Sequence, residues 1–83
     1  MIIVWDEAKR IANLVKHGID FAEIGETFFA SSIVIAARAG RYQAFGTQRG
    51  EVLAVVFAPL GAEAVSPISA RRASQKERKL LDG

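Results

Sequence analysis

The sequence predicts an α+β domain, and three observations carry that expectation. Apolar residues recur with helical period twice within the first thirty positions. From Ile33 onward they fall into β-branched or alternating runs divided by glycine-containing turn signals. A capping pair, Ser74 and Glu77, then opens a last helical segment. The expected order is a short N-terminal strand, two helices, an antiparallel meander sheet of three to four strands, and a short C-terminal helix. A single domain should span residues 1–83.

Ile2, Ile3 and Val4 supply the short strand. Asp6 stands where a helix N-cap belongs, and Glu7 adds negative charge to the first turn. Ala8, Ile11, Ala12 and Val15 follow at i, i+3, i+4 and i+7, which predicts that they form the buried face of the first helix. Lys9, Asn13 and Lys16 fall together on another face, with Arg10 and His17 beside them. Gly18 closes the helix, because glycine enters the left-handed conformation without a Cβ clash. A second helix is expected from Asp20, which has capping-box spacing to Glu23, through Phe21, Ile24, Phe28 and Phe29 to Ala30. Gly25 inside it should let another element pack closely. Strands are expected over residues 33–37, 41–46, 52–57 and 63–68, with 52–57 central because it is nearly continuous in apolar residues. Pro67 lacks an N–H donor and fits only an edge or a bulge. The last helix should run to about Leu81 and be anchored by Leu80 and Leu81.

Composition narrows the function classes. With 51 % hydrophobic residues the chain is globular rather than disordered. The absence of cysteine excludes a disulfide framework and a thiolate metal site, and one histidine speaks against a His-rich metal site. No apolar run approaches the roughly 20 residues that cross a bilayer, and the N-terminus lacks the pattern of a signal peptide. A cytoplasmic protein is therefore expected. Residues 1–30 hold five acids against three bases, and residues 31–83 hold eight bases against four acids. A polyanion would be drawn to the C-terminal half.

Several residue types could carry chemistry. Arg71 and Arg72 are adjacent, at the expected junction of the last strand and last helix. A guanidinium fork matches phosphate oxygens. From position alone the pair is either a phosphate site or two solvated arginines. Histidine is the proton carrier suited to neutral pH, and His17 is the only one; it could equally cap or pack the helix end. Lys16 could clamp a phosphate with Arg71 or remain solvated. Arg41 and Arg49 could reach a polyanion or keep a sheet edge soluble. Trp5 fits the core better than an exposed stacking platform, and Tyr42 is expected to pack.

The tryptophan–acid–Glu-Ala-Lys opening at residues 5–9, the Asn-Leu-x-Lys-His-Gly close at 13–18 and the Ile-Ser-Ala-Arg-Arg run at 68–72 together resemble the BrnT toxins of bacterial type II toxin–antitoxin pairs. The resemblance extends over nearly the whole chain. It implies a RelE-like fold and a metal-independent endoribonuclease, without a cofactor, that cleaves RNA and inhibits translation. It also implies a cognate DNA-binding antitoxin of ribbon-helix-helix type that neutralises the toxin in a hetero-oligomer. Lys16, His17 and Arg71 are the expected catalytic residues: Arg71 would stabilise the phosphorane, His17 would exchange the proton and Lys16 would hold the phosphate. Arg41, Arg49 and Arg72 are expected to bind RNA. The chain departs from the family pattern at Phe57, Ala58, Leu60 and Pro67, and its segment between the second helix and second strand is short. Those departures raise the alternative of a catalytically weakened module that binds its antitoxin without efficient RNA cleavage.

Overall fold

The computed structural model describes residues 1–82. In chain order the elements are β1 (Ile2–Ile3), α1 (Glu7–His17), a 3-10 turn (Phe21–Glu23), α2 (Glu26–Ala30), β2 (Ile33–Ala36), β3 (Tyr42–Gln48), β4 (Glu51–Leu60), β5 (Ala64–Arg72) and α3 (Gln75–Arg78). They build one five-stranded sheet in the order β1-β5-β4-β3-β2. The expected meander is present as β2 to β5, all antiparallel, with β4 central. β1 corrects the expectation of a purely antiparallel sheet. It lies parallel to the start of β5, with Ile2 opposite Ala64 and Ile3 opposite Val65. Donation from Ile2 N–H to Glu63 O and from Val4 N–H to Val65 O holds it there. The sheet is mixed because the chain start fills part of an edge that the meander leaves open.

Local signals set the element ends. Asp6 accepts from the N–H groups of Ala8 and Lys9 and caps α1. Gly18 ends that helix at φ 71°, with its N–H donating to Leu14 O. Gln48 and Glu51 close β3 onto β4 through Arg49 and Gly50, at φ 51° and 80°. Positive φ at both central residues matches the right-handed twist of the strands. A bulge falls between Val56 and Phe57, where Ser69 and Pro67 are the partners. Pro67 thus sits beside an irregular step that does not require its missing N–H, as expected of a proline in a strand.

The core lies between the sheet and the segment after α1. Phe21, Ile24, Phe28 and Phe29 cover Ala44, Leu53, Val55, Phe57 and Ala70, with Trp5 packed at the margin. Phe29 meets both Phe28 and Phe57 edge-on, at centroid distances of 5.4 and 5.2 Å. Gly46 admits the Phe28 ring, whose Cε1 would lie 3.0 Å from a Cβ at that position. Tyr42 stacks on Phe57.

The second helix is not continuous. Ile24 is extended, at φ −92° and ψ 106°, because its side chain turns into the core, and α2 restarts after Gly25. Nothing lies within 4 Å of where a Gly25 Cβ would stand, so this glycine marks a break rather than a close contact. The C-terminal helix is also shorter than expected. Both bonds of its capping box form, yet it ends at Arg78, and Leu80 is exposed.

The largest correction concerns α1. Its apolar stripe faces outward: Ile11 is 50 % and Val15 83 % exposed, and Ala8 and Ala12 are exposed with them. The side turned to the sheet is polar, with Asn13 only 6 % exposed and Arg10 and His17 half-buried. Asn13 Nδ2 donates to Ile19 O and Ala70 O, and its Oδ1 accepts from Ala70 N–H, all at 2.9 Å. These bonds occupy both backbone groups of Ala70, as a neighbouring strand would. The phenylalanines after α1 already fill the core, so α1 docks by hydrogen bonds along the edge of β5 beyond β1. Arg10 adds a bidentate pair with Glu7 and a 3.0 Å bond to Asp20. No helix among the described residues is long and apolar enough to cross a membrane.

Candidate active site

The Asn13–Ala70 bonds set α1 and β5 side by side. From Asn13 to His17 the helix climbs roughly 6 Å, and from Ala70 to Arg72 the strand climbs roughly 6.6 Å. The last turn of α1 therefore ends level with the strand end that carries the two arginines. The contact is direct: Arg72 Nη1 donates to His17 O at 3.1 Å. Arg72 Nε also pairs with Glu51 Oε2 at 2.6 Å, which joins α1, β5 and β4 at one corner. Lys16 is exposed in the same helical turn.

The β3–β4 hairpin arrives at this end of the sheet as well, because Glu51 opens β4 and Leu53 pairs with Arg72. Arg49 at its tip takes a left-handed φ of 51°. That conformation costs a non-glycine residue about 1–2 kcal/mol. Its guanidinium pairs with Glu23 at 3.1 Å. A cleft of about 420 Å³ lies between the hairpin and the end of α1. Leu14, Ile19, Ile24 and Leu53 line it, and its polar side carries Arg49 and Arg72 together with the carboxylates of Asp20, Glu23 and Glu51.

Arg71 stands apart from this group. β5 continues to Arg72 instead of stopping at residue 68, so both arginines are strand residues. Successive strand side chains point to opposite faces. Arg72 projects to the side of the α1 contact, and Arg71 projects to the other, in register with Ala54. There it forms two bonds to Glu77 of α3, Nη1 to Oε1 at 2.7 Å and Nη2 to Oε2 at 2.9 Å. Among the described residues no hydrogen bond or ion pair joins Arg71 to Lys16 or His17. Arg41 precedes Tyr42, at the opposite end of β3. Over that strand's length it is roughly 20 Å from the hairpin tip. Five of the six expected residues thus share one end of the sheet, on two faces, and Arg41 does not join them.

Glu77 was visible in the sequence only as a capping residue. Its Oε1 does accept from Ser74 N–H, but the carboxylate is shared with Arg71. The bonds from Arg71, with help from Ser74, hold the Glu77 carboxyl down at about 2 from 4.5 despite partial burial, and the same pair raises Arg71. A carboxyl depressed on folding stabilises the folded state above its unfolded pKa, and that contribution fades as pH falls through the folded value. Between about pH 4.5 and 2 the protein should therefore lose melting temperature more steeply than a Glu77→Gln variant. Parallel curves in thermal melts across that range would show that the pair does not couple to folding.

Comparison with known proteins shows the family and the fold. The family model described as ribonuclease toxin, BrnT, of type II toxin–antitoxin system matches residues 5–77. The chain belongs to the BrnT family. Among solved structures, the Brucella abortus ribonuclease toxin BrnT is similar, with 49 % sequence identity and a TM-score of 0.85. The match covers 90 % of this chain and 99 % of that one. No curated protein matches. As a BrnT ribonuclease toxin the chain comes from a system that includes an antitoxin partner. These matches lend no support to the alternative of a binding module with weakened cleavage.

Proposed function

We propose that this BrnT chain is a metal-independent endoribonuclease that cleaves RNA and inhibits translation. A cognate DNA-binding antitoxin of ribbon-helix-helix type holds it inactive. The observation that carries the reading is that Lys16, His17, Arg49 and Arg72 lie at one end of the sheet, with Arg71 at the same end on the opposite face. In-line cleavage without a metal needs a proton acceptor for the ribose 2′-OH, charge stabilisation for the phosphorane and a proton for the departing 5′-oxygen. In this reading Arg71 exchanges the Glu77 carboxylate for a phosphate, since both anions suit the same fork. Lys16 holds the phosphate from the adjoining helix end, and His17 exchanges the proton. Arg72 and Arg49 guide the RNA strand across the cleft side. The strain accepted at Arg49 supports a role for that side chain at the hairpin tip.

The test is cleavage of RNA by purified protein in EDTA, with both product ends identified. Attack by the 2′-oxygen forms a new P–O bond and breaks the P–O5′ bond. The expected products are 2′,3′-cyclic phosphate and 5′-hydroxyl ends, undiminished by the chelator. Loss of activity in EDTA, or 5′-phosphate ends, would overturn the mechanism.

A further inference from the structure

From the outward face of α1 we infer an antitoxin-docking surface, whose occupant is an amphipathic helix with an acidic border. This rests on the reading that a cognate antitoxin holds the toxin inactive. Ala8, Ile11, Ala12 and Val15 form a continuous exposed stripe on an eleven-residue helix. The domain's own core does not use the stripe: the sheet face is already covered by Phe21, Ile24, Phe28 and Phe29. A contiguous exposed apolar face of this kind marks an interaction surface. Its form selects a helix. Ile11 and Val15 make a ridge at i, i+4, and Ala8 and Ala12, also one turn apart, leave a shallow groove in which a second helix can lie close. Apolar anchors at these spacings are those of helix-in-groove recognition.

Charge selects the partner's chemistry. At 100° per residue, Lys9 and Lys16 line one border of the stripe, while Glu7 and Leu14 line the other. Arg10 is already paired with Glu7 and Asp20. Lys9 and Lys16 have no ion-pair partner among the described residues. A partner helix with acidic residues along that border satisfies them. A second copy of this chain does not fit in the antiparallel two-fold arrangement, because each Lys9–Lys16 border would then face its own copy. The surface ends at Lys16 and His17, so a helix lying along it stops beside Arg72 and the candidate site at that end of the sheet. Occupancy there accounts for inhibition by masking charge that RNA needs.

The experiment uses the purified full chain and, as the probe, a ribbon-helix-helix protein taken from the reading frame adjoining its gene, where the proposed antitoxin is expected. Binding is measured by titration calorimetry, and RNA cleavage by the toxin alone is followed in parallel. Val15→Asp and Ile11→Asp place charge on exposed positions, so the melting temperature and cleavage by the free variants should stay unchanged. Affinity for the antitoxin should fall about 30-fold or more, as for a central interface residue, and Lys9→Glu should weaken it as well. Equal affinity in the aspartate variants and the parent would overturn the proposal while leaving the toxin–antitoxin reading intact. Failure of the parent to bind the probe would sink that reading and this surface with it. A parent dimer that Val15→Asp splits in sedimentation would assign the stripe to a second copy instead.

Discussion

An Asn13→Leu variant is expected to lose about 3 kcal/mol or more of folding stability, although it replaces a polar helix residue by an apolar one of similar size. In a surface helix read by periodicity alone, the change would be harmless or favourable. Here the Asn13 side chain satisfies Ala70 N–H, Ala70 O and Ile19 O, and Ala70 is completely buried. Leucine leaves all three without a partner, and each buried unsatisfied group costs about 1–3 kcal/mol. A domain of this size has only about 4–12 kcal/mol in total. The control is Val15→Ala, which removes two methyl groups from an 83 % exposed position and should change stability by less than about 0.5 kcal/mol. Urea unfolding distinguishes the two, with the midpoint shifting at unchanged slope. An Asn13→Leu midpoint equal to the parent's would mean that water or a backbone shift replaces the three bonds. The alignment of the α1 end with the Arg71–Arg72 strand end would then need another cause.

The same helix shows which parts of the fold a sequence can reveal. Its start and stop were legible because Asp6 and Gly18 act within one turn of themselves. The paired bonds of Ser74 and Glu77 and the irregular step beside Pro67 are local in the same sense. Periodicity also located the apolar stripe correctly, but it cannot say whose core a stripe belongs to. That depends on whether other residues fill the sheet face, and Phe21, Phe28 and Phe29 do. The parallel pairing of β1 with β5 joins residues about sixty positions apart, and two residues of strand carry no register information of their own.

The candidate site was chosen in the sequence by residue type, and its geometry was less legible there. Arg71 and Arg72 were singled out for their chemistry. Adjacency in sequence suggested that they act together, but β5 extends through both, and the pleat sends them to opposite faces. The Arg72 contact with His17 O has no sequence signal, since its acceptor is a backbone carbonyl 55 residues away. The Glu77 contact had one, in retrospect. A capping carboxylate six residues after an arginine at a strand end is within reach of that arginine once the strand is continued.

Arg71→Ala is expected to lower RNA cleavage about 10²–10³-fold, the loss typical of one preorganised donor to a developing oxyanion, and to abolish growth arrest on induction. The fold should survive. The Arg71 side chain is 40 % exposed, so its ion pair is partly screened and contributes at most about 1 kcal/mol. Ser74 continues to bond both the Glu77 carboxylate and its backbone. Arg71→Lys keeps the charge but not the fork, and should fall between the parent and Arg71→Ala. Glu77→Gln tells a phosphate site from an anchor for α3. If Arg71 serves phosphate, removing the competing carboxylate should tighten RNA binding and steepen its salt dependence by about one phosphate contact, while cleavage persists. If the pair only fastens α3, neither variant should alter cleavage once folded protein is compared. A parallel loss of cleavage in Glu77→Gln and Arg71→Ala would instead make the carboxylate itself part of the chemistry, as proton acceptor for the 2′-OH in place of His17.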